Sequence, residues 1–387
     1  MTAASVTAVV PAGRLSAFYF AYFAYVGAVA PYFSLYLASL GLAAAQIGVL
    51  LSLGSLTRVL GPNVWGWAAD RSGQRARLLV LTLALACAGY AGFFFVRSFW
   101  GLFVMLLITG FFTSAAMPLA ESITLAHLRG AVHRYGSIRL WGSVGFILTV
   151  TSIGYALDAL PVASLLWMML ATAAMSWGCA LFIPDALFDS RRAEVEPVGR
   201  ILRRPEVAAL LGACCLMSVA HGPLYAFYSI YLVAHGYTKA AVGWMWTVGV
   251  VAEIAVFMLM PRAMQRWSIA SILRVCFAAT TLRFLMIGWC VESVPILFCA
   301  QVLHGLSFGA YHAAAVTAFN RWFEGANQVR GQAIYLSVSF GAGGMAGSAL
   351  SGVAWETMGA AWTFSAAAMA ALAGYLLLRC KVHAAGV

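Results

Sequence analysis

Residues 32 to 50 recur 195 positions further along the chain: Ser34, Tyr36, Leu37, Gly41, Ala45 and Gly48 return as Ser229, Tyr231, Leu232, Gly236, Ala240 and Gly243. These identities straddle the point where one apolar stretch ends and the next begins, so the duplicated unit is a bundle of hydrophobic helices. At the same offset Arg58 pairs with Glu253, each inside an apolar stretch. Ionised groups at such depth are costly in lipid and mark functional positions by default.

The chain is 63% hydrophobic and 9% charged, with a mean hydropathy of +0.90, whereas a soluble domain carries roughly 25% charged residues. Segments of about 20 apolar residues, enough to cross a ~30 Å hydrocarbon layer, run Leu15 to Ala38, Ile47 to Trp67, Leu78 to Val96, Phe99 to Ala126, Gly136 to Leu157 and Val162 to Ile183. Six more run Val207 to Leu232, Ala240 to Met260, Ile269 to Val291, Val294 to Phe319, Gly331 to Val353 and Gly359 to Leu378. The expected fold is therefore an all-α membrane protein with twelve transmembrane helices in two pseudo-symmetric six-helix bundles. The expected units are residues 1–183, a polar linker 184–206 and residues 207–387. That linker holds Pro184, Asp185, Asp189, Arg191, Arg192, Glu194, Glu196, Pro197, Arg203, Arg204 and Pro205. All other connections are short, which leaves no room for a soluble catalytic domain. Glycine-rich helices, with Gly142 and Gly145 in the fifth stretch and Gly341, Gly343, Gly344 and Gly347 in the eleventh, allow close helix approach, for packing or for sliding.

Positive charge sets the orientation. Arg14, Arg71, Arg75, Arg77, Arg129, Arg134, Arg191, Arg192, Arg200, Arg203, Arg204, Arg262, Arg266, Arg321, Arg330, Arg379 and Lys381 fall on the side of the termini, against Arg97 and Lys239 on the other. Both termini are thus expected in the cytoplasm, in a bacterial inner membrane. The same bias accounts for most of the net charge of +11, and no basic helix or aromatic recognition module points to nucleic acid. The first stretch is too long for a cleaved leader core and reads as a retained span. The eight cysteines lie within or at the ends of apolar helices without metal-type spacing. No phosphate loop, metal cluster or nucleophile constellation suggests an enzyme, and no cofactor is expected.

After the second stretch comes Gly66-x-x-x-Asp70-Arg71-x-Gly73-x-Arg75. Gly66 permits a close helix contact, Asp70 can meet a helix terminus or an arginine at the membrane edge, and Gly73 permits a tight turn. The spacing suits a gating latch between bundles. On this motif the chain resembles the major facilitator superfamily, over nearly its whole length. Pro31-Tyr32-Phe33, the run from Tyr135 to Ser143, and Gln301-x-x-His304 followed by His312 are similar to the branch holding phenylpropionate transporters and, more distantly, lactose permease. The second half keeps Arg266 but has Gln265 where Asp70 stands, so the latch is expected on one side only.

Glu121, Arg139, Arg58, Glu253, Arg283, His221, His304 and His312 all fall within apolar stretches and require partners or a wet cavity. Antiparallel packing of the fourth and fifth helices can set Glu121 opposite Arg139, either as a structural ion pair or, as the resemblance implies, at the substrate. Phe146 stands where the sugar permease stacks a tryptophan on its ligand, which argues against a galactoside. Glu253, Arg283 and His304 resemble the permease's proton-coupling group, with Ser307 in place of its second carboxylate. His312 lies about 80 degrees round an α-helix from His304, and His221, ahead of Gly222 and Pro223, reads as a ligand for backbone groups freed at a helix break.

Tyr22, Tyr25, Tyr32 and Tyr36 share a broad sector of the first helix, and Trp246 shares a face with Glu253, as core packing or as an aromatic binding wall. Three buried arginines against two carboxylates favour a small aromatic anion. The leading expectation is import of a phenylpropionate-like acid with protons, by a monomer. Substrate binding is assigned to Arg58, Glu121, Arg139, Phe146, Tyr25, Tyr32 and Trp246, and proton coupling to Glu253, Arg283, His304 and His312. Symport of a neutral sugar or nucleoside, proton-driven efflux of hydrophobic compounds, and a non-transporting membrane sensor are the alternatives.

Overall fold

The computed structural model describes residues 10–128, 131–186, 198–324 and 327–382. Arg129, Arg191 and Arg192, counted above for orientation, and Asp189, Glu194, Glu196 and Pro197 of the linker lie outside these residues. The described residues are helical throughout, without a strand. Twelve helices are long and apolar enough to cross a membrane: α1 (Ala12–Ser39), α2 (Ala44–Ser72), α3 (Arg75–Phe95), α4 (Phe99–Leu128), α5 (Tyr135–Ala159) and α6 (Val162–Ala180), then α7 (Pro205–Ala234), α8 (Lys239–Arg266), α9 (Ile269–Trp289), α10 (Val294–Trp322), α11 (Arg330–Met358) and α12 (Ala360–Lys381).

Local chemistry sets the ends. Ser98, Thr238 and Ser268 accept hydrogen bonds from the backbone N–H groups of Gly101, Ala241 and Ser271 at 3.3, 3.1 and 3.3 Å, the capping that unpaired first-turn donors need. Gly41 and Gly236, matched by the repeat, both take left-handed backbone angles, φ 77° and 83°. Both end a helix in the way only glycine does without strain.

Several spans are not continuous α-helix. α4 is interrupted at Ser114 and Ala115, ahead of Pro118. α7 breaks at His221, whose Nδ1 lies 2.8 Å from the Met217 carbonyl oxygen, which also accepts the His221 backbone N–H at 3.2 Å. α10 and α11 each contain a π-helical stretch, Gly305–Ala310 and Ser337–Gly343.

Each half contains an intimate glycine seam. In the first half α1 lies on α5: a Cβ at Gly27 would stand 2.9 Å from the Phe146 carbonyl oxygen. In the second half α7 lies on α11, and a Cβ at Gly347 would stand 2.6 Å from the carbonyl oxygen of Val219. The two halves meet along α2–α11 and α5–α8. There, a Cβ at Gly48 would lie 2.6 Å from Ser348 O, and one at Gly243 2.7 Å from Val150 O. These tight contacts lie toward the end remote from the termini. Toward the termini, Cβ atoms at Gly66 and Gly136 would meet nothing within 4 Å.

The glycine seams predict a selective sensitivity to volume. Gly347→Val drives a side chain into the α7 backbone and should cost about 1–3 kcal/mol, seen as a lower melting temperature of the purified protein. Gly178→Val, where nothing lies within 4 Å, should leave it unchanged.

Candidate substrate and proton site

The first half brings its intramembrane charges together with aromatic rings. Arg139, one turn before Gly142, places its guanidinium 4.0 Å from the Phe23 ring centre and 5.6 Å from that of Tyr19. Gly142 makes this possible, because a Cβ there would sit 2.8 Å from both the Phe23 ring and Arg139 Nη1. The glycine-lined seam holds ring and cation side by side.

The face-to-face ion pair expected of Glu121 and Arg139 is not formed within 4.0 Å among the described residues. Glu121 instead accepts a hydrogen bond from the Tyr135 hydroxyl at 3.3 Å, while Arg139 is drawn onto the aromatic seam. Arg58 is exposed within α2. The hydroxyls of Tyr25 and Tyr90 hydrogen-bond to each other.

The second half is drier. Arg283 is 1% exposed, with Nε donating to Ala300 O at 3.0 Å, Nη1 to Ser307 Oγ at 3.0 Å and Nη2 to Gln301 Oε1 at 3.2 Å. Gln301 in turn donates to the Tyr228 hydroxyl at 2.6 Å. These partners are all neutral. The ion-paired group expected around Arg283 is therefore divided: Ser307 supplies a hydroxyl to the arginine, and Glu253 faces His304 instead, Oε2 to Nε2 at 3.8 Å.

His304, Phe308 and His312 form a column of parallel rings, 5.5 and 6.2 Å apart and inclined by 11°. The π-helical stretch between the two histidines has a wider turn than an α-helix, so residues four apart stack and the expected 80-degree offset of His312 disappears. His312 Nδ1 pairs with the Tyr335 hydroxyl at 3.1 Å. Trp246 lies beside Tyr228 and Tyr225, at 6.3 and 6.0 Å between ring centres. The buried nitrogens Trp246 Nε1, His304 Nδ1 and His221 Nε2 have no hydrogen-bond partner.

Other assigned residues sit elsewhere. Tyr32 is fully buried at the remote end, where its hydroxyl donates to Val150 O at 2.7 Å, so it belongs to the contact between the halves and not to a binding wall. Phe146 is buried, with its backbone against Gly27. In the loop motif, Asp70 accepts from Arg75 at 2.8 Å and Arg75 donates to Ser122 at 2.6 Å. Arg71 lies over Trp67, and Gly73 has φ 67°. These contacts lie inside the first half, and among the described residues Asp70 forms no salt bridge to the second half.

Sequence reasoning missed Tyr225, 40% exposed beside His221 and Trp246, and Tyr90, the partner of Tyr25. Tyr225 follows His221 by one turn beyond the break, which was the signal available for it. Tyr90 carried none.

The described residues thus gather two intramembrane arginines, a set of tyrosines and a carboxylate facing a histidine. Among the described residues no group of three or more His, Cys, Asp or Glu is placed to hold a metal ion. An apolar groove of about 580 Å³ beside α1, α5 and α6, bordered by Phe20, Trp141 and Met175, lies away from these charges.

Arg283→Lys keeps the charge but cannot reach three acceptors arranged for a planar fork. It should lower stability by about 2–4 kcal/mol, read from thermal unfolding of the purified protein.

The model of the MFS_1 like family matches residues 13–366. The chain is 30% identical over 344 residues to a probable 3-phenylpropionic acid transporter of Escherichia coli, covering 84% of this chain and 86% of that protein. It is 25% identical over 376 residues to a putative nucleoside transporter of Escherichia coli, covering 88% and 86%. Among solved structures, a mutant of the nucleoside transporter NupG superposes with a TM-score of 0.87 at 16% identity, over 96% of this chain and 100% of that one.

Proposed function

Because the chain belongs to the MFS_1-like family of the major facilitator superfamily, an integral multi-pass membrane transporter family, we propose that it imports a small aromatic carboxylate together with protons. The observation that carries this reading is the unequal saturation of the intramembrane cations. Arg283 is held by three neutral acceptors, whereas Arg139 rests on the Phe23 and Tyr19 rings, and neither it nor the exposed Arg58 has a carboxylate within 4.0 Å among the described residues. An aromatic acid matches both features: its carboxylate supplies the missing anion and its ring joins Tyr22, Tyr25 and Tyr225.

In this mechanism the substrate enters the space between the halves and its carboxylate is gripped by Arg58 or Arg139. Glu253, with His304 as its neighbour at 3.8 Å, takes the proton. With both termini in the cytoplasm and the remote end sealed, the described conformation faces inward, and transport proceeds by rocking of the halves about the site. A relative described as a phenylpropionic acid transporter supports the same class of substrate. The nucleoside-carrier relative motivates the second reading, a neutral nucleoside. Competition by uncharged nucleosides but not by carboxylates would select it.

The test is uptake of labelled 3-phenylpropionate into proteoliposomes with an acidic exterior. Uptake should collapse when the pH gradient is dissipated. Glu253→Gln should abolish accumulation against a gradient while exchange of substrate across the membrane survives; loss of both together would assign Glu253 a structural role. Arg139→Ala should weaken binding about ten- to a hundredfold, the value of a charged hydrogen bond of about 1.5–3 kcal/mol.

A further inference from the structure

The repeat that opens the sequence ends in two contacts between the halves, and they are built alike. On one seam, the Asp158 carboxylate at the last turn of α5 accepts the first N–H groups of α8, Lys239 N at 2.7 Å and Ala240 N at 3.0 Å. On the other, the Glu356 carboxylate in the last turn of α11 accepts Ala45 N at 3.1 Å, in the first turn of α2. Ala45 and Ala240 are repeat mates. In each case a carboxylate from one half neutralises the positive end of a helix in the other.

Each contact sits on a pair of glycines that lets the backbones touch. Gly48 packs on Gly352 beside Glu356, and Gly154 and Gly243 pack on the facing α8 and α5 backbones beside Asp158. A third element braces each seam from the neighbouring helix. Tyr32 donates to Val150 O of α5 and to Lys239 O of α8, and its repeat mate Phe227 stacks on Trp355 of α11 at 4.8 Å.

We propose that Asp158 and Glu356 are the gate residues of this carrier: two symmetry-related carboxylate clasps on the N-termini of α8 and α2 that hold the remote end shut. This rests on the alternating-access reading above. The clasps bridge only groups that lie in different halves, so opening that end breaks them while the glycine seams within each half stay intact. Both helix ends carry backbone donors that water can satisfy once exposed, so the clasp is reversible. Neutralising both carboxylates shifts the resting population toward a state open at the remote end.

The experiment places nitroxide-bearing unnatural residues at Arg97 and Glu292, exposed in the α3–α4 and α9–α10 connections, in the full chain in lipid nanodiscs, and measures their separation by pulsed electron resonance. The wild type should give one short distance. Asp158→Ala with Glu356→Ala should raise the ratio of long to short distances about tenfold, equivalent to about 1.4 kcal/mol, and Asp158→Asn with Glu356→Gln should fall between. An unchanged distribution in the double alanine variant overturns the proposal.

Should that variant fail to fold, Lys239→Pro with Glu356→Ala serves instead. Proline is tolerated at the first helical position and removes a clasp donor while leaving Asp158 in place; an unmoved distribution there also overturns the clasp. Distances that shift in a protein that moves no solute sustain the clasp and refute the carrier. Uptake by the wild type with distances that never move does the reverse.

Discussion

Hydrocarbon offers no hydrogen bonds, so every ionised side chain between the membrane faces must take its solvation from the protein or from water admitted to it. Three arginines meet this requirement in three ways, and the differences sort their roles. Arg283 is enclosed by a carbonyl, a hydroxyl and an amide, which rigidifies the junction of α9 and α10 and leaves little for a ligand. Arg139 rests on Phe23 and Tyr19, a weaker partnership of about 0.5–2 kcal/mol. Arg58 is reached by solvent. Only the last two can exchange their surroundings at modest cost.

A rocking carrier needs strong bonds within each half and weak ones between them. The seams α1–α5 and α7–α11 bring backbones into contact along glycines, and α1 and α7 bury Phe18, Tyr19, Phe227 and Tyr228. The halves also share part of one apolar core, in which Tyr32, Ile47 and Val150 of the first cluster with Leu224, Phe227 and Val242 of the second, and its rim adds close glycines and hydrogen bonds that water can replace. A carboxylate at a helix N-terminus contributes about 0.3–1 kcal/mol at an exposed site, so each of those rim contacts is individually weak.

The twelve spans, their order and the turn glycines were legible because hydropathy and the repeat report them directly. Gly41 and Gly236 recur because both need a left-handed turn, and Gly48 and Gly243 because both lie in a backbone contact between the halves. What the sequence concealed depends on rotation about helix axes. Tyr32 shares a sector with Tyr25 by periodicity, yet it lies ten ångströms further along the helix by the ~1.5 Å rise per residue, in the sealed end. His312 changed face because a π-helical stretch lies before it, which periodicity assumes away. Asp158 and Glu356 stand at span ends, where an acidic residue looks like ordinary surface, and only the tertiary contact shows that each reaches the other half. The Glu121–Arg139 pair failed for a related reason: the sequence gives the two charges but not the ring of Phe23 that comes between their preferences.

The halves share a scaffold but not a chemistry, and the divergence is ordered. Repeat mates that serve the seal have kept their type, as Ala45 with Ala240 and Gly48 with Gly243 show. Mates elsewhere have not: near the centre Arg58 answers to Glu253, and at the opposite edge Asp70 to Gln265. The π-helical stretches found among the described residues belong to the second half, where they bring His304, Phe308 and His312 into register. A symmetric seal lets either conformation be reached by the same motion, while opposite charges at equivalent depths, a cation in one half and an acid in the other, give that motion a direction in charge.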